Sequence, residues 1–386
     1  MAKNLGIIGL GWVATLIAQS VSETQGKAAV IAGCDINPEK RDVFKNRFNI
    51  KKVYEKPEDL INDSDIDIVI IATPPYLHAS LGKKSLLAGK HVFFEKPGAL
   101  RPDEMGDLIN IAQENGLETT IDYVMRCNPL YLILRRLCDF KTFGMLERAH
   151  LENYAHDDHM PPKHWFWDYS KSGGIWIEHG VHFFDIVNWL IGQPKEVRAI
   201  NLKRAGENLT DRVIGFGLHK DDVMVSYYHG FTKPEIIEKT TFYFTFERAY
   251  AQIHGWIPTR LVIDALSCSD VENYLRGKLL DDAKKYLPNI DVSISIKKVA
   301  NFGTNGKKFT SRRKNFLATS RTKFEYSLDQ DRWVVYRACV LRNIMDLIDA
   351  VKGFKSSPDV TLINAKNSLE VAYEMEKYAK SNQLKV

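Results

Sequence analysis

No uninterrupted apolar run in these 386 residues reaches the roughly 18 that a membrane-spanning helix needs. Cysteine is scarce. Cys34, Cys127, Cys138, Cys268 and Cys339 are widely spaced, and no C-x-x-C pair occurs. A disulfide framework and a thiolate zinc site are therefore not expected, and reduced thiols in the cytoplasm fit best. Internal repeats and low-complexity tracts are lacking, so disordered, collagenous and coiled-coil architectures drop out. An excess of one charge is also missing: 53 basic against 48 acidic residues leave a net charge of +5. This admits acidic small molecules without demanding nucleic acid. The main basic cluster, Lys307, Lys308, Arg312, Arg313 and Lys314, followed by Arg321 and Lys323, lacks the aromatic interleaving of a base-stacking surface. It reads as a solvated, flexible loop.

What is present is an ordinary globular composition, 45% hydrophobic and 26% charged, in a chain long enough for two or three domains of about 150 residues each. The start, Lys3 followed by residues 5–18, imitates a signal peptide. Gly6, Gly9 and Gly11 interrupt the apolar run and no small-residue cleavage box follows, so export is not expected. Over the first 125 residues short apolar runs (5–9, 28–34, 66–72, 91–95, 118–123) alternate with helical patterns (13–21, 38–48, 76–88, 102–115). Such alternation predicts an α/β Rossmann domain, a doubly wound parallel sheet, over 1–125. The run at 68–72 is apolar on both faces, as a central parallel strand must be. After Pro129 the pattern changes. A helix (130–140), a strand (145–152), an aromatic and histidine-rich loop (154–169), and a helix (180–190) precede β patterns at 196–201, 212–216, 223–229 and 240–247. This predicts a second, α+β domain over 126–386 with a large, mainly antiparallel open sheet. Residues 291–299 alternate like an edge strand, while most of 265–330 has no clear pattern. Two helices, 333–351 and 362–381, close the chain and could pack back on the first domain.

The first predicted strand ends in Gly9-Leu10-Gly11-Trp12-Val13-Ala14, a G-x-G-x-x-A turn between strand and helix. Gly9 permits the tight turn, Gly11 lets backbone approach a pyrophosphate at the positive helix N-terminus, and Ala14 lets the helix pack against the strand. Asp35 closes the second strand, 21 residues after Ala14, where a carboxylate accepts from ribose hydroxyls and favours NAD. Lys40 and Arg41 nearby keep NADP open.

The densest polar constellation is 173–185. If residues 178–189 are helical, Glu178, His182 and Asp185 fall at about 0°, 40° and −20°, on one stripe of an otherwise apolar helix. Three ionisable groups there are costly unless they face a wet cavity. The arrangement suits alcohol oxidation: losing hydride requires a base to take the hydroxyl proton, and histidine titrates in the useful range. An internally satisfied polar cluster is the bland alternative. A metal site built from His156, His159, His164, Glu178, His179 and His182 is disfavoured, because His179 sits about 100° from the Glu178 stripe. Glu95-Lys96-Pro97 ends the fifth strand, at the carboxyl edge where ligands bind in such sheets, and Lys96 there could favour a developing alkoxide.

Taken in order, GLGWVA, the acidic end of the second strand, TPPYLH (73–78), AGKHVFFEKP (88–97), YVMRCNP (123–129) and the SGG…E…H..D block resemble the Gfo/Idh/MocA oxidoreductases over the whole chain except roughly 256–330. The resemblance implies that Lys96 contacts substrate and nicotinamide and that His182 is the catalytic histidine. Glu178 takes a place usually held by aspartate, one methylene shorter. Asp185 matches a substrate-hydroxyl ligand. Gly9, Gly11, Trp12, Val13, Asp35, Thr73, Pro74, His78, Glu95 and Lys96 fall in the cofactor motifs, and Arg126 matches the arginine after the last Rossmann strand. Trp165 matches the family's frequent W-R pair, but Phe166 replaces the arginine. Tyr123, His164, Trp165 and Trp167 suit pocket walls on which a sugar's C–H faces stack. The expected activity is NAD(P)-dependent hydride transfer at a secondary hydroxyl of a sugar, cyclitol or derivative, by a homodimer or homotetramer with no resident metal. The alternatives are glycoside cleavage or epimerisation with a recycled cofactor, and a dinucleotide-sensing regulator without turnover.

Overall fold

The computed structural model describes residues 2–382, in two compact units. The first unit comprises 2–124, 162–185 and 337–374, so it is assembled from three chain segments rather than from 1–125 alone. Its sheet contains β1 (Lys3–Ile8), β2 (Ala28–Cys34), β3 (Lys52–Tyr54), β4 (Ile68–Ile71), β5 (His91–Phe94) and β6 (Thr119–Ile121). All pairings are parallel, in the order β3-β2-β1-β4-β5-β6. The order reverses between β1 and β4, which makes their carboxyl ends the ligand-binding edge of such a fold.

Local chemistry explains the elements. Every residue of β4 is buried, as its unbroken Ile-Val-Ile-Ile demands. Asn37 caps the helix Pro38–Phe48 by accepting from the Glu39 and Lys40 amides at 2.8 and 3.3 Å, and Asn49 ends that helix in the left-handed region. The sequence reading omits β3 and the helix Pro57–Ile61, both too short to show a period. From the C-terminal part, Asn343 in the helix Arg332–Val351 accepts from the Thr120 hydroxyl at 3.1 Å and donates to the Ile121 carbonyl at 2.9 Å.

The second unit comprises 125–161, 186–336 and 375–382. It contains β7 (Leu146–His156), β8 (Glu196–Lys203), β9 (Thr210–Leu218), β10 (Met224–Lys233), β11 (Lys239–Phe246), β12 (Ala249–His254), β13 (Arg260–Ser267), β14 (Val292–Asn301), β15 (Lys307–Ser311), β16 (Lys314–Ala318) and β17 (Ser320–Leu328). Nine of these form one sheet, β14-β17-β13-β12-β11-β7-β10-β9-β8. It is antiparallel except at β7–β10, so it is mixed. β14 is an edge strand, as its alternation suggests.

The basic cluster is ordered, which corrects its reading as a flexible loop without aromatics. β15 and β16 pair as a hairpin, and Phe309 lies opposite Phe316 with ring centroids 5.9 Å apart. Phe302 packs against Phe309 in a tilted arrangement, ring centroids 5.1 Å apart, and the Lys307 ammonium lies 5.6 Å from the Phe309 ring centroid. The aromatics are hidden from a linear reading because strand pairing, not chain proximity, brings Phe309 and Phe316 face to face. Among the described residues, no helix is long and apolar enough to cross a membrane.

Candidate active site

The turn after β1 is built for an anion. Gly9 has φ +90°, and a side chain there would strike the Ala72 carbonyl oxygen at 2.6 Å, so only glycine fits. Gly11 differs. A Cβ on it would meet no protein atom within 4 Å, so the protein's own packing does not require glycine at this place. Gly11 caps the helix Trp12–Ser22 without a side-chain hydrogen bond, and no acidic residue occupies the first turn. An open helix N-terminus with this bare approach fits a pyrophosphate. Gly11→Val is expected to leave the melting temperature within about 2 °C of wild type, since the side chain meets open space, while NAD affinity falls at least ~10-fold, read by calorimetric titration.

Around this turn, Asp35 Oδ2 accepts from the Leu10 amide at 2.9 Å and Oδ1 from the Asn37 amide at 2.9 Å. The carboxylate thus braces the glycine turn and retains further lone pairs. Arg41 is held by the Asp35 and Ile36 carbonyls at 2.7 and 3.2 Å. Trp12, Ile36 and Tyr76 are exposed at the ends of β1, β2 and β4, large apolar groups of the kind a bound dinucleotide covers. Val13 is half-buried beside Trp12. Thr73 Oγ1 is buried with no hydrogen-bond partner among the described residues, a second opening for a ligand. Pro74 is half-buried beside it.

Two expected cofactor residues are turned inward. His78 is 1% exposed, with Nδ1 2.6 Å from the Pro97 carbonyl and Nε2 2.6 Å from the Thr73 carbonyl. It therefore ties the Thr73 turn to the Lys96-Pro97 turn. Glu95 is buried, and its Oε2 accepts from the Lys96 amide at 3.0 Å. Side chains alternate along an extended segment, so when Lys96 faces outward its neighbour faces the interior.

Lys96 and Glu178, 82 residues apart, meet directly. The Lys96 ammonium donates to Glu178 Oε1 at 2.7 Å and to the Glu178 carbonyl at 2.9 Å. This pairing corrects the expected role of Glu178, whose carboxylate holds Lys96 rather than His182. The physical reason lies in the helix. Residues Trp176–Gly180 form a wider π-turn and regular α-helix starts only at Val181–Ile191, so a uniform 100° spacing does not hold. The π-turn leaves Asp185 where a uniform helix puts it relative to His182, since both lie in the regular α-helix. Within the α-helix it lies about 60° from His182, on a neighbouring face. It is fully buried, and its Oδ1 accepts from the Ser368 hydroxyl at 3.4 Å, an interior placement rather than the expected substrate-facing one.

His182 is 4% exposed and faces the Tyr123 ring edge-on, with centroids 6.3 Å apart. Burial pushes its imidazole well below the ordinary range, and the charges of Lys96 and His179 add to that. His179 is pushed down to about 3, by burial and then by Lys96. Both rings are therefore neutral near pH 7, and Lys96 lies close enough to act on both. His164 is half-buried. Burial lowers its pKa and the Glu178 charge opposes that, so His164 stands near the ion pair. Its ring lies 5.1 Å from that of Trp165. Arg126 belongs to the second unit, where its guanidinium lies 5.9 Å from the Trp189 ring and its carbonyl accepts from the Tyr286 hydroxyl at 2.7 Å. Among the described residues no group of three or more metal-ligating side chains forms. Sequence reasoning missed Asp122, Asn343 and Ser368; only an acidic residue closing an apolar strand hinted at the first.

Comparison with known proteins agrees with this fold. Residues 3–123 match the oxidoreductase family with an NAD-binding Rossmann fold, and residues 131–249 match the GFO/IDH/MocA C-terminal domain. The chain is 26% identical over 213 residues to myo-inositol 2-dehydrogenase of Thermotoga maritima, covering 55% of this chain and 60% of that one. It spans between 41% and 61% of the length of the curated relatives that it matches first. Among solved structures, scyllo-inositol dehydrogenase from Lactobacillus casei, with NAD(H) and scyllo-inositol bound, has a TM-score of 0.71 at 17% identity, over 99% of this chain and 98% of that one. The WlbA dehydrogenase from Bordetella pertussis, in complex with NADH and UDP-GlcNAcA, has a TM-score of 0.73 at 15% identity, over 98% and 96%.

Proposed function

Because the chain belongs to the Gfo/Idh/MocA oxidoreductases, we propose that it interconverts a secondary hydroxyl and the corresponding ketone on a sugar, cyclitol or derivative. The observation that carries this reading is the Lys96 ammonium held beside a buried, neutral His182 in the unit that bears the glycine turn. In the oxidative direction neutral His182 accepts the hydroxyl proton. The Lys96 charge stabilises the oxygen as it becomes alkoxide-like. Glu178 keeps Lys96 in place, and Tyr123, His164 and Trp165 supply apolar surface for the ring carbons. NAD, when bound, supplies the hydride acceptor. Relatives named as inositol dehydrogenases support a cyclitol or a sugar of similar size as substrate. Exposed Ile214, Phe216 and Tyr250 on the large sheet suit a second copy of the chain, and the free cysteines suit a reducing compartment.

Mixing the protein with NAD and a panel of cyclitols, hexoses and sugar acids tests the reading through NADH absorbance. Turnover of at least one polyol is expected; failure on all of them, with NAD bound, overturns it. Turnover without net NADH points instead to glycoside cleavage or epimerisation. NAD is preferred over NADP, because the Asp35 carboxylate accepts from ribose hydroxyls and repels a 2′-phosphate. Asp35→Ser removes a charged hydrogen bond of about 1.5–3 kcal/mol and is expected to shift the NADP/NAD ratio of kcat/KM upward about 10- to 100-fold. An unchanged ratio assigns the preference elsewhere.

A further inference from the structure

Behind Lys96 lies an acidic pair that the reaction scheme does not use. β5 and β6 are parallel neighbours, and the Asp122 amide donates to the Phe94 carbonyl at 2.9 Å, which sets Asp122 beside Glu95. Asp122 is 1% exposed and Glu95 8%. The two carboxyls lie within hydrogen-bonding reach of each other. Glu95 Oε2 accepts from the Lys96 amide, and Asp122 Oδ1 receives the Asn343 amide at 3.4 Å. The remaining oxygens, Glu95 Oε1 and Asp122 Oδ2, are buried and meet no donor from any other described residue. The groups facing the pair are Lys96, whose ammonium is engaged by Glu178, the buried His78, which approaches from the helix His78–Leu87, and uncharged Asn343 from the helix Arg332–Val351. Two ionised carboxylates so placed repel each other in a dry site, and a single proton between them satisfies both orphaned oxygens.

We infer that Glu95 and Asp122 share one proton in the working enzyme and act as a positioning pair, fixing the turn that carries Lys96 and limiting the negative charge behind it to one unit. Burial agrees: it raises Asp122 to about 6 and Glu95 well above the usual carboxylate range, with the Asp122 charge adding to the latter. The pair titrates as a unit. Loss of its proton places a second negative charge behind Lys96 and weakens the stabilisation of alkoxide; this kinetic consequence rests on the function proposed above.

Infrared difference spectroscopy on the full chain with NAD bound reads the shared proton directly, as the carbonyl stretch of a protonated carboxyl. The band is expected in wild type at neutral pH and is expected to vanish in both Asp122→Asn and Glu95→Gln. Wild-type kcat is expected to lose about tenfold per pH unit once the pair ionises, and Asp122→Asn is expected to lack that limb. Because the folded state holds the proton more tightly than the unfolded chain, this site costs stability as pH rises. Asp122→Asn is therefore expected to melt above wild type near pH 8, with the gap closing toward pH 5. Absence of the band in wild type, its survival in both variants, or identical pH limbs in wild type and Asp122→Asn would overturn the pair. A band lost on substitution in a protein that oxidises no polyol upholds the pair and sinks the proposed function instead.

Discussion

Lys96→Met is expected to lower kcat on the polyol substrate by about 10²- to 10³-fold, the usual effect of removing one preorganised donor from a developing oxyanion. The substitution keeps the length and apolar stem of the side chain and deletes only the charge. It also leaves the Glu178 carboxylate, whose side chain is 11% exposed, without its cation. Breaking a largely buried pair costs about 3–5 kcal/mol, so the single variant also loses stability. The two losses separate in a double variant. Lys96→Met with Glu178→Gln removes the stranded charge, so most of the melting temperature is expected to return while turnover does not. Recovery of turnover along with stability would mean that Lys96 acts only as a structural counter-ion. Glu178→Gln alone keeps a hydrogen-bond acceptor for Lys96 but loses the charge that holds it; a rise in KM smaller than the fall in kcat is expected, read from steady-state kinetics.

His182→Gln is expected to cost about 10²- to 10⁴-fold in kcat, the contribution of a positioned general base, with NAD affinity within about threefold of wild type. The pH behaviour is specific. In the folded chain His182 stays neutral well below the ordinary imidazole range, chiefly because it is buried. The acidic limb of the kcat profile, where protonation removes the base, is therefore expected below pH 6.5, lower than an exposed histidine would give. Stability carries the same signature. Unfolding exposes His182 and His179, which then take up protons below about pH 6.5, whereas the folded forms do not until much lower pH. Their contribution to stability is fully present above that value and is lost as pH falls. Wild type is expected to lose melting temperature between pH 7 and pH 5 more steeply than His182→Gln, as measured by calorimetry. Equal slopes, or a kcat limb at the ordinary histidine value, would mean that His182 is not held neutral by its surroundings.

These expectations begin from residues that a linear reading already singles out, Lys96 and His182, but the roles around them required the fold. Glu178 looked like the partner of His182 because a uniform helix puts residues four apart on one face. The π-turn at 176–180 breaks that spacing and gives Glu178 to Lys96. Asp185 matches a substrate ligand by resemblance alone and is buried beside Ser368. Glu95 and His78 sit in motifs that face a cofactor, yet each points inward and holds a turn in place.

The chain alone determined what depends on neighbours within a few residues. The helix after Asn37-Pro38, the apolar β4, and the Gly9–Ala14 turn with Asp35 after it follow from caps, side-chain periods and the steric freedom of glycine. Those short-range rules also settle the doubly wound class of the first unit. Tertiary structure decided everything that depends on which strands and helices become neighbours: the partner of Glu178, the Phe309–Phe316 stack, and the meeting of Glu95 with Asp122. Such contacts join positions from 7 residues apart, across the β15–β16 hairpin, to 82 apart, between Lys96 and Glu178, and no local period encodes them, because strand pairing and burial in a shared interior are properties of the packed whole.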